Sequence, residues 1–227
     1  MAEMGLGYGS EFQLMRFLGH HREELDNLIR QATGMQGDVE WKDFPYDNSR
    51  ISGDGELKGI ECFRSLEIYK DIEDGWKQFW PQRGSLMNWD AIFTIGDTWF
   101  FVEAKANEAE AFQVCTATSD ESKRIIDRAF KETKKWLNVD NEIEWRNTKC
   151  YQLANRLAFI CFCNQHNINA KLLYVSFVNG YWRKNVISQL DWETKVWNEQ
   201  FKTLGLTKES VKDYLYHIYP DCEPKNK

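Results

Sequence analysis

The sequence predicts an α/β fold, and three stretches carry that prediction. Residues 88–105 read as a β-hairpin, 148–165 as a helix apolar on nearly every side, and 171–178 as a central strand. In the first stretch two apolar, aromatic and β-branched runs flank a polar turn at Gly96 and Asp97, the pattern of two paired strands. A helix that is apolar all round must be covered by other elements. The strand that follows it after a short turn at 167–170 gives it a sheet to pack on.

The chain is long enough to bury a sizeable core: 227 residues, 42% hydrophobic and 15% aromatic. No linker, internal repeat or low-complexity tract divides it, so residues 1–227 read as one domain. Its core is expected at about 60–180, with N-terminal helices at 10–32 and a C-terminal helical extension at 190–219. No run approaches the roughly 18 uninterrupted apolar residues of a membrane span. The first ten residues lack both a basic and an apolar leader region. A cytoplasmic protein with no membrane partner is the expectation.

Cysteine usage agrees with a reducing compartment. Cys62, Cys115, Cys150, Cys161, Cys163 and Cys222 show no paired ligand spacing, so they read as free thiols and zinc is not expected. The net charge of -6 argues against a chain that is basic overall, as many sequence-specific DNA binders are. A nuclease stays open, because its basic surface can be local and metal ions can neutralise phosphate.

In chain order, a glycine-rich start leads into two helical segments between about 10 and 32, interrupted near Gly19 and closed by Gly34. A short strand at 39–44 and a loop at 45–55 follow. Residues 61–80 read as mostly helical, with Trp76, Phe79 and Trp80 turned inward, and 81–84 break the chain before the hairpin. Residues 107–118 fit no single pattern. Ser119 or Asp120 then caps a helix reaching Leu137. Its stripe of Ile125, Ile126, Ala129, Phe130, Thr133, Trp136 and Leu137 faces inward. Lys123, Arg124, Arg128, Lys131, Lys134 and Lys135 make its outer side basic, either a solvated face balanced by Asp127 and Glu132 or a phosphate-facing surface. A late helix at 190–204 carries Trp192 and Trp197 at helical spacing, expected in the core rather than as base-stacking platforms. A last helix, or helix plus strand, spans 208–219, and the tail from Asp221 is expected to be disordered.

Chemistry concentrates in the hairpin. Strand alternation puts Phe101, Glu103 and Lys105 on one face and Val102 and Ala104 on the other. Burying a carboxylate and an ammonium costs several kcal/mol unless each finds a partner. One solution is a structural ion pair between Glu103 and Lys105. Another brings in Asp90, which the roughly 5 Å spacing of paired strands makes a cross-strand neighbour of Glu103. Two such carboxylates repel unless a cation lies between them. Oxygen ligands select Mg²⁺ or Mn²⁺, with the Ala104 carbonyl completing the protein's share. Lys105 then stands ready to orient and acidify a water or to stabilise charge at phosphorus. On the buried helix Gln152, Asn155 and Arg156, at i, i+3 and i+4, form a polar stripe that needs a polar site or interior partners. An alternative enzyme would use His20, His21 or His166, none of which has a spaced partner.

Asp90 followed after twelve residues by Val102-Glu103-Ala104-Lys105 resembles the signature of the PD-(D/E)xK phosphodiesterase, or restriction-endonuclease-like, superfamily. The phrases Asn88-Trp89-Asp90-Ala91, Phe101-Val102-Glu103-Ala104-Lys105-Ala106 and Tyr151-Gln152-Leu153-Ala154-Asn155-Arg156-Leu157-Ala158 are similar to a group of uncharacterised bacterial proteins within it. Trp89 stands where the signature has proline. The resemblance covers most of 79–178 and implies a mixed central sheet of about four or five strands flanked by helices. It also implies a metal-dependent nuclease acting on DNA, with Asp90 and Glu103 as metal ligands, Lys105 catalytic and Gln152 contributing from its helix. A further acid on a first helix, Glu11, Glu23 or Glu24, and pairing into a homodimer are options that the resemblance brings. The alternative is a nuclease-fold binding module without turnover, which the acidic overall charge favours.

Overall fold

A five-stranded mixed sheet forms the frame of the molecule, whose computed structural model describes residues 9–42, 57–59, 63, 72–84, 86–180 and 186–223. The strands are β1 (Glu40–Trp41), β2 (Leu57–Lys58), β3 (Asn88–Trp89), β4 (Ala91–Ile95), β5 (Thr98–Lys105), β6 (Ala170–Ser176) and β7 (Leu215–Ile218). The main sheet has the order β1-β4-β5-β6-β7, antiparallel from β1 to β5 and parallel from β5 to β7. β2 and β3 pair antiparallel as a separate ribbon. The central strand, β5, is buried toward both faces, as a strand covered on both sides must be.

Two helical layers do the covering. Phe93, Phe100, Val102, Ala104 and Val175 on one face pack against α1 (Ser10–His20) and α2 (Arg22–Thr33). Ile92, Phe101, Leu172 and Tyr174 on the other face meet α3 (Glu73–Phe79), α5 (Asp120–Trp136), α6 (Tyr151–Gln165) and a long helix α7 (189–204). A short α4 (Glu108–Ala111) follows β5. The helix α7 starts at Gln189–Asp191, runs as a π-helix over Trp192–Trp197 and returns to α over Asn198–Leu204. Trp192 and Trp197 are both buried, and α8 (Lys208–Val211) leads into β7.

Several turn and cap signals are realised directly. The hairpin turns at Gly96 with φ 55, a conformation easy only for residues without a Cβ. The Ser119 hydroxyl caps α5 by accepting from the Ser122 amide at 3.1 Å, and Gly34 closes α2 in the left-handed region. Along α6, Leu153 through Cys163 are all buried, the polar Asn155 and Arg156 among them. Among the described cysteines Cys115, Cys150, Cys161, Cys163 and Cys222 are free thiols.

Other expectations need correction. The first helices part at His21, not Gly19, since an exposed glycine weakens a helix by only about 1 kcal/mol. Lys134 leaves the basic outer side of α5 and donates to the carbonyls of Asn141 and Ile143, both at 2.8 Å. Of the two options for 208–219 the structure takes helix plus strand, and the C-terminal extension at 190–219 therefore ends not in helix but in β7, which belongs to the main sheet through a parallel crossover from β6. The tail is pinned as far as Glu223: Asp221 bridges to Val178, and the amide of the buried Cys222 donates to the Val178 carbonyl at 2.9 Å. The strand expected at 39–44 is β1, shortened to two residues among those described. Within 61–80 the described helix is α3. Cys62 and the loop at 45–55 lie outside the described residues. No helix among the described residues is long and apolar enough to cross a membrane.

What fixes α6 against β5 is aromatic. Phe159 meets Phe101 and Trp89 edge-on at 4.7 and 4.9 Å between ring centroids and stacks on Phe63 at 5.1 Å. Phe159→Ala is expected to lower unfolding free energy in urea titrations by about 3–5 kcal/mol, the usual cost of emptying such a site. Phe159→Leu should cost clearly less.

Candidate functional site

Glu103 lies near the C-terminal end of β5, with its side chain on the α6 face and only 2% exposed. A carboxylate at that depth needs every lone pair engaged, and four donor groups on three side chains do so. Oε1 accepts from the Lys105 ammonium and from Gln152 Nε2 at 2.8 Å. Oε2 accepts from Arg156 Nε at 2.7 Å and lies 2.7 Å from Arg156 Nη2. Lys105 and Arg156 are 4% and 3% exposed, so the ion pairs are shielded from solvent.

Each donor is placed by its element. Lys105 shares the β5 face with Glu103 by the two-residue period. Gln152 and Arg156 share one face of α6 by the four-residue period. Arg156 is held further: its guanidinium lies 4.7 Å over the Trp89 ring, and Nη1 donates to Asn155 Oδ1 at 3.1 Å. The polar stripe of the buried helix therefore closes on Glu103.

Asp90 enters from the side. At this residue the chain bends between β3 and β4, so the backbone ladder to β5 ends with Asp90 N donating to Val102 O at 3.2 Å. The next β5 amide on that edge, Ala104 N, donates to Asp90 Oδ2 at 2.6 Å. The Ala104 carbonyl points to the same edge as its amide, as in any extended residue.

Electrostatics follow the contacts. Burial pushes the Glu103 carboxyl up, but Arg156 and Lys105 outweigh it and hold the group below the ordinary 4.5. Burial pulls the Arg156 pKa down, and Glu103 more than restores it. Tyr174, opposite Glu103 in the register, is pushed well above 10, first by burial and then by the Glu103 charge. Next in the same row stands His217, half-buried and pulled by desolvation down to about 3, hence neutral at pH 7.

Of the side chains expected from the sequence, Glu103, Lys105 and Gln152 come together, with the expected Glu103–Lys105 ion pair formed, and Asp90 accepts from the Ala104 amide between Glu103 and Lys105 in the chain. Ala104 contributes its amide to Asp90. The helices carrying Glu11, Glu23 and Glu24 pack on the opposite face of the sheet. His20 and His21 lie where those helices meet, and His166 sits past the far end of α6 with Nδ1 against the Phe162 carbonyl. Arg156 is a principal partner that the sequence shows only as part of a stripe. Its spacing of four from Gln152 was the available signal; that both reach Glu103 depends on how α6 docks. Neither Trp89 nor His217 announced its place in the site.

Gln152, Asn155 and Arg156 also line a cleft of about 1080 Å³ that extends past Asn88 and Arg83 to Ser122 on α5. The donors present suit a hard divalent cation in kind: two carboxylates, the Ala104 carbonyl, and Gln152 Oε1, a buried amide oxygen with no hydrogen-bond partner. Among the described residues no three His, Cys, Asp or Glu side chains gather within reach of one ion. Such an ion would depend on water and substrate oxygens for its remaining ligands, as Mg²⁺ commonly does.

Glu103→Gln leaves Lys105 and Arg156 buried without their counter-charge, so unfolding free energy at pH 7 is expected to fall by about 3–5 kcal/mol. A depressed folded-state pKa means that the Glu103 contribution is fully present above pH 4.5 and is lost as pH falls through the lower folded value. The gap between wild type and Glu103→Gln in urea titrations should therefore narrow as the pH drops below 4.5.

No family model, curated protein or solved structure matches the chain, which leaves the site's own geometry to carry its chemistry.

Proposed function

We propose that the chain is a divalent-metal-dependent nuclease that hydrolyses phosphodiester bonds, with DNA as the favoured substrate. The observation that carries this reading is the convergence of Glu103, Lys105 and Gln152, beside Asp90, at the C-terminal end of β5 and behind a polar cleft. Ends of parallel strands are where α/β sheets commonly place ligand chemistry. Asp90, Glu103 Oε1 and the Ala104 carbonyl would hold Mg²⁺ or Mn²⁺. Such an ion supplies polarisation of the phosphoryl group and acidification of water.

The chain's own residues then divide the work. Asp90 is kept in place by the Ala104 amide, and Arg156 keeps Glu103 by its other oxygen. Lys105 and Gln152 are the partners of Oε1, and both end in rotatable polar groups that can leave it. Released, the Lys105 ammonium can stabilise negative charge gathering on the phosphoryl oxygens as the water–phosphorus bond forms and the ester bond breaks. Gln152 Oε1 is an acceptor that can orient the attacking water. Free thiols suit a cytoplasmic setting for this activity.

A polyanionic substrate is favoured by the surface beside the cleft. Lys123, Arg124, Arg128 and Lys131 of α5 surround a shallow hollow of about 440 Å³ together with Asp120 and Asp127. Asp127 is already paired with Arg146 at 2.8 Å, so the hollow is positive on a chain of net charge -6. The same helix lines the cleft through Ser122 and Ile125. A phosphate backbone lying on α5 would therefore lead into the site.

A second reading, a nuclease-fold binding module without turnover, rests on the charge balance of the site. Asp90 and Glu103 are matched by Lys105 and Arg156, so the network is neutral without a metal ion.

Incubation of the purified chain with single- and double-stranded DNA and RNA separates the two readings. Cleavage with Mg²⁺ or Mn²⁺ that stops with chelator, and falls at least about 100-fold in Lys105→Ala, is the expected result. Cleavage that survives Lys105→Ala places the activity elsewhere, and binding without cleavage selects the module. In anisotropy titrations with chelator present, Arg124→Glu with Lys131→Glu should weaken DNA binding. The slope of log affinity against log salt should become shallower by about 1–2, since each phosphate that a cationic side chain neutralises adds roughly 0.9 to it.

A further inference from the structure

We propose that Arg156 is a positioning residue that reserves one oxygen of Glu103 for a divalent cation. The inference rests on the metal-dependent reading above and adds to it the part that decides how Glu103 presents itself. The two oxygens of Glu103 are held in different ways. Oε2 takes both Nε and Nη2 of Arg156, each at 2.7 Å. Oε1 takes one contact from Lys105 and one from Gln152.

Arg156 is the partner least able to move. Its guanidinium is planar, lies 4.7 Å over Trp89 and donates from Nη1 to Asn155, while its helix is buried from Leu153 to Cys163. Trp89 is in turn fixed by Phe101 at 5.1 Å and Phe159 at 4.9 Å between ring centroids. Lys105 and Gln152 approach Oε1 through flexible stems and single hydrogen bonds. A fixed clamp on Oε2 and displaceable partners on Oε1 make Oε1 the oxygen that an incoming cation can claim.

A lysine at this position keeps the charge but has neither the paired N–H groups nor the flat face that matches an indole. Arg156→Lys therefore separates orientation from charge, and Arg156→Gln removes both. The test is binding of Mn²⁺ by the full chain, followed by electron paramagnetic resonance, beside thermal unfolding of each variant. Both variants are expected to bind Mn²⁺ about 10- to 100-fold more weakly while remaining folded, the usual loss when a partner that orients a ligand is removed. Asn155→Ala, which frees one edge of the guanidinium and leaves its charge, should show a smaller loss in the same direction and covers the case in which the Arg156 variants do not fold.

Three results overturn the proposal by itself, and a fourth overturns it together with the reading it rests on. A lowered Tm with unchanged Mn²⁺ affinity of the folded fraction makes Arg156 structural only. Unchanged binding in Arg156→Lys with tighter binding in Arg156→Gln makes it only a competing charge. Unchanged binding in Asn155→Ala when neither Arg156 variant folds removes the clamp. Failure of the wild-type chain itself to bind Mn²⁺ defeats the metal-dependent reading, and the positioning role with it.

Discussion

A full negative charge at Glu103 lies where solvent barely reaches, and much of the surrounding structure answers that one fact. An unpaired buried carboxylate costs several kcal/mol, so the fold must bring cations and hydrogen-bond donors to it. Lys105 comes from the same strand, whereas Gln152 and Arg156 come from α6, 49 and 53 residues away along the chain. The docking of α6 is thus constrained twice. Aromatic contacts through Phe159 set its distance from β5, and the Glu103 contacts set its rotation. A turn of the helix by one residue would face Leu153 and Leu157 toward a carboxylate.

The sheet divides along its length in a way that supports this placement. On the α6 face, the row Phe101, Leu172 and Leu215 is apolar, and the next row toward the strand ends is Glu103, Tyr174 and His217. Lys105 and Ser176 follow in register. Polarity therefore rises toward the C-terminal ends of β5 and β6, where a cleft opens on α6 and α5. His217 belongs to that polar row yet is neutral at pH 7, because burial pulls its pKa to about 3. The charged chemistry stays with the Glu103 network.

What the sequence made legible was mostly local. The hairpin, its turn at Gly96, the Ser119 cap, the Gly34 stop and the fully buried α6 each follow from residues within a turn or two of one another. The hairpin register runs to Ala91 and Val102, and Asp90, just beyond it, meets the Ala104 amide. The edges of the sheet were less readable. β1 is two residues long and β7 joins β6 only after a helical crossover, so neither carries a period that can be recognised alone. Lys134 looked like part of a basic face because helical spacing says nothing about the loop that folds back over it. Arg156 illustrates the same limit within the site: spacing shows that it shares a face with Gln152, but only the packing of α6 on β5 shows that both hold Glu103.

Asp90 has one role that the geometry shows and a second that the proposed metal-dependent reading would give it. Where the chain bends between β3 and β4, the Ala104 amide passes beyond the backbone ladder, and the Asp90 carboxylate accepts from it in place of a strand carbonyl. That contact needs an oxygen acceptor but no charge, so an asparagine side chain could make it. Holding a divalent cation needs the charge, since a neutral amide offers a hard cation far less. The bend therefore does not by itself explain an acid at position 90. The second carboxylate is explained by what it balances: Lys105 and Arg156 carry two positive charges beside one Glu103, and Asp90 restores neutrality at the mouth of that network. A cation arriving between Asp90 and Glu103 would upset this balance unless it brought an anion or released Lys105. Phosphate would supply the first and the flexible Lys105 stem would allow the second, so the proposed metal-dependent reading favours a phosphodiester over an uncharged substrate.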